Sequence, residues 1–142
     1  MYIENELFLI RDQDIQEATK KEYRQYFCGD LKRPQLLPFL KMSGLEIGLS
    51  NYHQFSYDKP HFHKETHDMI YILEGEFLVR ILRTEETISL KKGDFISIPP
   101  NTPYASRCKA GTKTLFIKKL QSNDKVEVPI TPELSRWLNG EG

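Results

Sequence analysis

From Gly44 onward the chain is built of short apolar stretches cut by turns, and this pattern restricts the fold most. Leu45, Ile47 and Leu49 alternate with Glu46, Gly48 and Ser50, the period of two expected where successive side chains face opposite sides of a sheet. Met69 to Leu73 is a continuous apolar run, which predicts a strand covered on both faces. Glu74-Gly75-Glu76 reads as a tight turn into a strand over 77–82. Thr84-Glu85-Glu86 and Lys92-Gly93-Asp94 lead into strands over 87–90 and 95–98. A further hairpin across Lys109-Ala110-Gly111 is expected to join strands over 104–108 and 112–120. Many short strands at this spacing predict an all-β sandwich or barrel.

The flanks read differently. The spacing predicts a helix over 14–27, with Asp14 as its cap and Cys28-Gly29-Asp30 as its stop. Pro34 and Pro38 keep 33–42 from forming a regular helix. Near the end, Thr131 as cap, Pro132 at the first helical position and Gly140 predict a short helix, docked on the barrel by Trp137 and Leu138. The expected organisation is one structural domain: 1–43 packing on the barrel, a barrel over 44–120, and a C-terminal extension over 121–142. A length of 142 residues suits one domain and needs no disulfide or metal merely to stay folded.

Charge excludes several partners. Lysine plus arginine and aspartate plus glutamate number 20 each, which gives no basic face to expect nucleic acid. No apolar run approaches the length of a membrane span. Glu4 and Glu6 stand where a signal peptide would carry positive charge, so a cytoplasmic protein is expected. Cys28 and Cys108 are isolated and read as reduced, partly buried thiols, although a nucleophilic Cys108 stays open.

Three of the four histidines fall within seven residues, His61-Phe62-His63-Lys64-Glu65-Thr66-His67. On a strand, His61 and His63 share a face and can present two imidazoles to one space. With a carboxylate opposite, they make the two-histidine, one-carboxylate set of non-haem iron sites, also usable by manganese, nickel or zinc. The same residues could instead hydrogen-bond a ligand or each other. By strand parity His67 faces outward or into the mouth, and His53 reads as a satisfied barrel residue.

The stretch His61-x-His63-x4-Asp68-x6-Gly75 resembles the first motif of the cupin superfamily, and Gly93-Asp94-x4-Pro99-Pro100-Asn101-Thr102-Pro103-Tyr104 resembles the second. The resemblance implies a double-stranded β-helix, or jelly-roll barrel, with short flanking helices, and a homodimer. It also implies a ligand set of His61, His63, Asp68 and Tyr104. Two positions depart from the family: Asp68 stands for the usual Glu, and Tyr104 for the last histidine. Asn101 replaces the turn glycine, tolerable because Asn accepts positive φ.

Parity places Ile70 and Ile72 inward with Asp68, and Ser106 and Cys108 inward with Tyr104. Tyr52, Arg80 and Phe116 are further candidates for the pocket wall, as is His67. Tyr104 has three readings: a ligand, a general acid, or an aromatic wall. Three functions follow. The first is a small-molecule protein, metal-dependent if an enzyme, of oxygenase, isomerase or lyase type, with a divalent ion on His61, His63 and Asp68. The second is a metal-free sugar or sugar-nucleotide isomerase or epimerase, with His61 or His63 as base and Tyr104 as acid. The third is a non-catalytic ligand-sensing or carbohydrate-binding module. The histidine segment and residues 71–75 also resemble the sensing domains of arabinose-type transcription regulators, but no helix-turn-helix segment follows.

Overall fold

The computed structural model describes residues 1–119 and 124–141. Strand β1 (Tyr2–Ile3) and helix α1 (Asp12–Lys21) precede β2 (Arg24–Gly29) and β3 (Phe39–Lys41). The barrel continues through β4 (Leu45–Asn51), β5 (Ser56–His63), β6 (His67–Glu74), β7 (Glu76–Ile81) and β8 (Glu86–Lys91). Strands β9 (Phe95–Ile98), β10 (Tyr104–Cys108), β11 (Lys113–Lys119) and β12 (Lys125–Glu127) follow, and α2 (Pro132–Leu138) closes the chain. Leu120, where the expected last barrel strand ends, lies outside the described residues. The architecture is all-β. A seven-stranded sheet in the order β1-β3-β2-β4-β11-β6-β9 faces a five-stranded sheet in the order β12-β5-β10-β7-β8. Among the described residues, no helix is long and apolar enough to cross a membrane.

Consecutive strands mostly change sheet. β5 and β10 lie in one, β6 and β11 in the other, so the loop between β5 and β6 crosses the barrel mouth. The expected hairpin from 104–108 to 112–120 is likewise no ladder. β10 pairs with β5 and β7, whereas β11 pairs with β4 and β6. A period of two identifies a strand but carries no information about its partner. Gly75, between β6 and β7, shows what such a corner requires. Its φ is +84°, and an added Cβ would lie 2.6 Å from Thr112 Oγ1.

The predicted helix over 14–27 is half right. α1 ends at Lys21, and Arg24 to Gly29 form β2, paired antiparallel with β4. The helix carries Arg11 at its N-cap, without a side-chain bond, and Asp12 and Asp14 in its first turn. Pairing along β4 overrides the weak helical periodicity of Tyr23 to Phe27. The C-terminal helix matches its signals. Thr131 Oγ1 accepts from the Leu134 amide at 3.1 Å. Trp137 and Leu138 are buried with Ala105 of β10 in a small cluster.

The main core lies between the sheets and contains Ile70, Ile72, Phe77, Val79, Leu90, Ile98, Tyr104 and Cys108. Each fully buried aliphatic side chain here contributes about 1.5–3 kcal/mol relative to exposure. This core forms the floor beneath a group of buried polar residues.

A candidate metal centre and its access

The polar group is assembled from both sheets. β5 carries His61 and His63, β6 carries Asp68 and β10 carries Tyr104, which is in register with His61. All four side chains are buried. The His61 and His63 rings meet edge to face at 5.1 Å, and the Tyr104 ring lies 4.7 Å from that of His61. One ligand atom from each of His61, His63 and Asp68 falls within 4.8 Å of the others.

Hydrogen bonds settle the roles of the ring nitrogens. His61 Nδ1 lies 2.7 Å from the Lys59 carbonyl, which can only accept, so Nδ1 carries the proton and Nε2 keeps its lone pair. His63 Nδ1 lies 3.0 Å from Asp124 Oδ1, which by the same argument leaves Nε2 as the acceptor nitrogen of a neutral ring. That Nε2 faces Asp68 Oδ2 at 3.3 Å. Two lone pairs then point at each other in a buried space. His63 Nε2 and Asp68 Oδ1 are also buried atoms with no hydrogen-bond partner among the described residues. Either a proton on Nε2 or a cation between the groups relieves the conflict. The donor set therefore fits a divalent ion.

The same closeness of charges shows in the electrostatics. The Asp68 carboxylate facing Nε2, against the effect of burial, raises the His63 pKa above its ordinary value. Burial lowers that of His61. Burial works to raise that of Asp68, but the nearness of His63, the charge of Lys118 and the bond from Tyr104 leave it below the usual carboxylate range. The Tyr104 hydroxyl donates to Asp68 Oδ2 at 2.8 Å. Burial and the Asp68 charge together hold its pKa well above that of a free phenol. Tyr104 thus keeps its proton and reaches the centre through Asp68.

Asp124, just before β12, is a site residue that the sequence pattern does not reveal. Besides His63, it accepts from the Glu65 amide, the Thr66 amide at 2.7 Å and Thr66 Oγ1 at 2.8 Å. Burial opposes its ionisation, yet these donors hold its carboxyl well below the ordinary value. Its two oxygens together clamp the loop between β5 and β6 and orient His63. Asn101, with φ at +62° as expected for the turn, donates its amide to the His63 carbonyl at 2.6 Å.

A cavity of about 120 Å³ adjoins these groups, lined also by Tyr52, Ile70, Ser106 and Phe116, as expected. It shares Arg24, Tyr52, Asp58, Phe77 and Ser106 with an outer hollow of about 530 Å³. Two of the expected wall residues are elsewhere. His67 has the parity opposite to Asp68 and meets Ser97 Oγ on the outside. Arg80 alternates with buried Phe77 and Val79 and turns outward, its guanidinium 3.4 Å from Thr87 Oγ1. His53 is exposed beyond the end of β4, where Nε2 meets the Thr19 carbonyl at 2.6 Å; it is not a barrel residue. Cys108 is buried, and burial pushes its thiol up to about 12, which leaves no nucleophile at neutral pH.

A family model described as a cupin domain matches residues 51–117, which contain both histidines, Asp68 and Tyr104. The barrel is a cupin domain. Solved structures of similar fold agree with it. DMSP lyase DddQ from Ruegeria pomeroyi DSS-3 superposes with a TM-score of 0.57 at 18% identity, over 74% of this chain and 50% of that one. A cupin-like protein from Thermotoga maritima MSB8 gives 0.53 at 17% identity, over 67% of this chain and 73% of that one. The polyketide cyclase RemF from Streptomyces resistomycificus gives 0.50 at 19% identity, over 67% and 66%. This cupin spans about half the length of the lyase. No curated protein matches it in sequence.

Proposed function

We propose that this cupin is a metal-dependent enzyme acting on a small molecule, with a divalent ion held by His61 Nε2, His63 Nε2 and Asp68. The observation that carries this reading is the pair of buried, unpartnered atoms, His63 Nε2 and Asp68 Oδ1, on groups whose lone pairs converge. Iron, manganese, nickel and zinc all accept two imidazoles and a carboxylate. Such an ion supplies polarisation of a substrate oxygen or activation of dioxygen. The chain's own residues do the rest. Asp124 fixes the His63 tautomer and ring orientation, as a carboxylate behind a ligating histidine does. Tyr104 holds a proton beside Asp68 and can donate it to a substrate oxygen in the cavity. Ile70, Phe77 and Phe116 keep the inner end of the site apolar and limit water. Oxygenase, isomerase and lyase chemistries all use this arrangement.

A second reading rests on the Tyr104 and His61 rings lying 4.7 Å apart, with the phenol protonated and His61 Nε2 free to accept. These two groups form an acid and a base without any ion, as a sugar or sugar-nucleotide isomerase or epimerase requires.

Elemental analysis of protein purified without a histidine tag or nickel column decides between them. Near-stoichiometric iron, manganese, nickel or zinc is expected in the parent, and none in a folded His61→Ala/His63→Ala variant. A metal-free parent whose isomerase turnover survives chelation would replace the first reading with the second.

A further inference from the structure

The chain half-buries a cation that no ion pair among the described residues neutralises. Arg24 of β2 donates from Nε to Ser50 Oγ at 2.9 Å and from Nη2 to Tyr52 Oη at 3.4 Å. The rings of Tyr23 and Phe116 lie 5.2 and 5.0 Å from its guanidinium carbon. None of the ion pairs among the described residues involves Arg24. An arginine stays charged and offers five donors in a planar fork, and Ser50 and Tyr52 take up two of them. A half-buried charge without a counter-ion at the wall of a cavity invites an anion.

The location says which anion matters. Arg24 lines both the 120 Å³ cavity at the histidines and the 530 Å³ outer hollow, and so stands at the neck between them. The inner cavity is smaller than usual small-molecule sites of about 300–1,000 Å³, and the outer one falls within that range. A ligand that spans the two spaces therefore lies beside Arg24. Among the described residues lining the outer hollow, Asp58 is the one acid, against Lys21, Arg24 and Arg107. Asp58 already faces Lys125 at 3.7 Å, and the Arg107 guanidinium is taken up by the Trp137 carbonyl and ring.

We propose that the substrate carries a carboxylate, received edge-on by Arg24, with its reacting end among His61, His63, Asp68 and Tyr104. A planar fork beside two aromatic rings suits a planar oxyanion better than a tetrahedral one. The inference rests on the inner cavity being the reacting site.

Propionate, propionamide and inorganic phosphate serve as probes, titrated into the protein as purified. Calorimetry gives the affinity, and the Arg24 Nε–H resonance reports the place of binding. Propionate is expected to bind and shift that resonance, with propionamide at least about tenfold weaker. Arg24→Gln should weaken propionate by a similar factor and leave the metal content unchanged. The His61→Ala/His63→Ala variant should still shift the Arg24 resonance, since its carboxylate site is intact. Equal binding of amide and acid, binding of phosphate alone, or an unmoved Arg24 resonance in the parent overturns the proposal. The resonance decides even if Arg24→Gln does not fold. Loss of the metal reading alone would show as metal-free protein that still binds propionate at Arg24.

Discussion

Asp124 is one residue with two tasks, and they can be separated by measurement. Its carboxylate orients His63 and also ties down the Glu65 and Thr66 amides. Asp124→Ala leaves those donors without partners and should cost roughly 1–3 kcal/mol of stability, read from urea unfolding. Asp124→Asn keeps the shape and should still weaken metal binding about 10–100-fold, measured by competition with a chelator. The pH dependence has a definite sign. The folded pKa of Asp124 is depressed below the ordinary 3.8, so its contribution is present above that value and is lost as pH falls toward the folded one. His63 is raised above 6.5, so its contribution is complete below that value and fades as pH climbs through the folded pKa. Unfolding free energy of Asp124→Asn should therefore fall less steeply than that of the parent below about pH 4. An unchanged acid limb would remove Asp124 from this role.

At the level of the element, alternation located the barrel strands, and motif spacing brought His61, His63, Asp68 and Tyr104 to notice. Neither could assign partners, because a strand's period is the same whichever sheet it joins. Arg24 escaped for a related reason. Local periodicity places residues 24–27 at the end of a helix, and only their pairing with β4 makes them barrel wall. Asp124 escaped because its four donors come from residues about sixty positions away, beyond any local pattern. β4 supplies a test of how the wall is built. An added Cβ on Gly48 would lie 2.4 Å from Phe116 Cζ and 2.7 Å from the Gln25 carbonyl. Gly48→Ala should destabilise the protein by about 1–3 kcal/mol in urea unfolding. Because Phe116 also faces the Arg24 guanidinium at 5.0 Å, the same change should weaken propionate binding while metal content stays constant.

For the whole molecule, the α2 cluster and the polar centre are on opposite sides of the five-stranded sheet and should respond independently. Trp137→Ala removes a buried aromatic from the outer cluster and should cost about 3–5 kcal/mol with no change in metal content. The β5–β6 corner has a kinetic meaning as well. Nearly all the ladders join distant parts of the chain, and such topologies fold slowly because the loops must close before contacts reward closure. His61, His63 and Asp68, by contrast, fall within eight consecutive residues, so an ion bound there closes a very short loop. That corner can form before the sheets do. A divalent ion present from the start of refolding should then speed the folding limb of the chevron, whereas an ion that recognises only the finished barrel would slow unfolding alone.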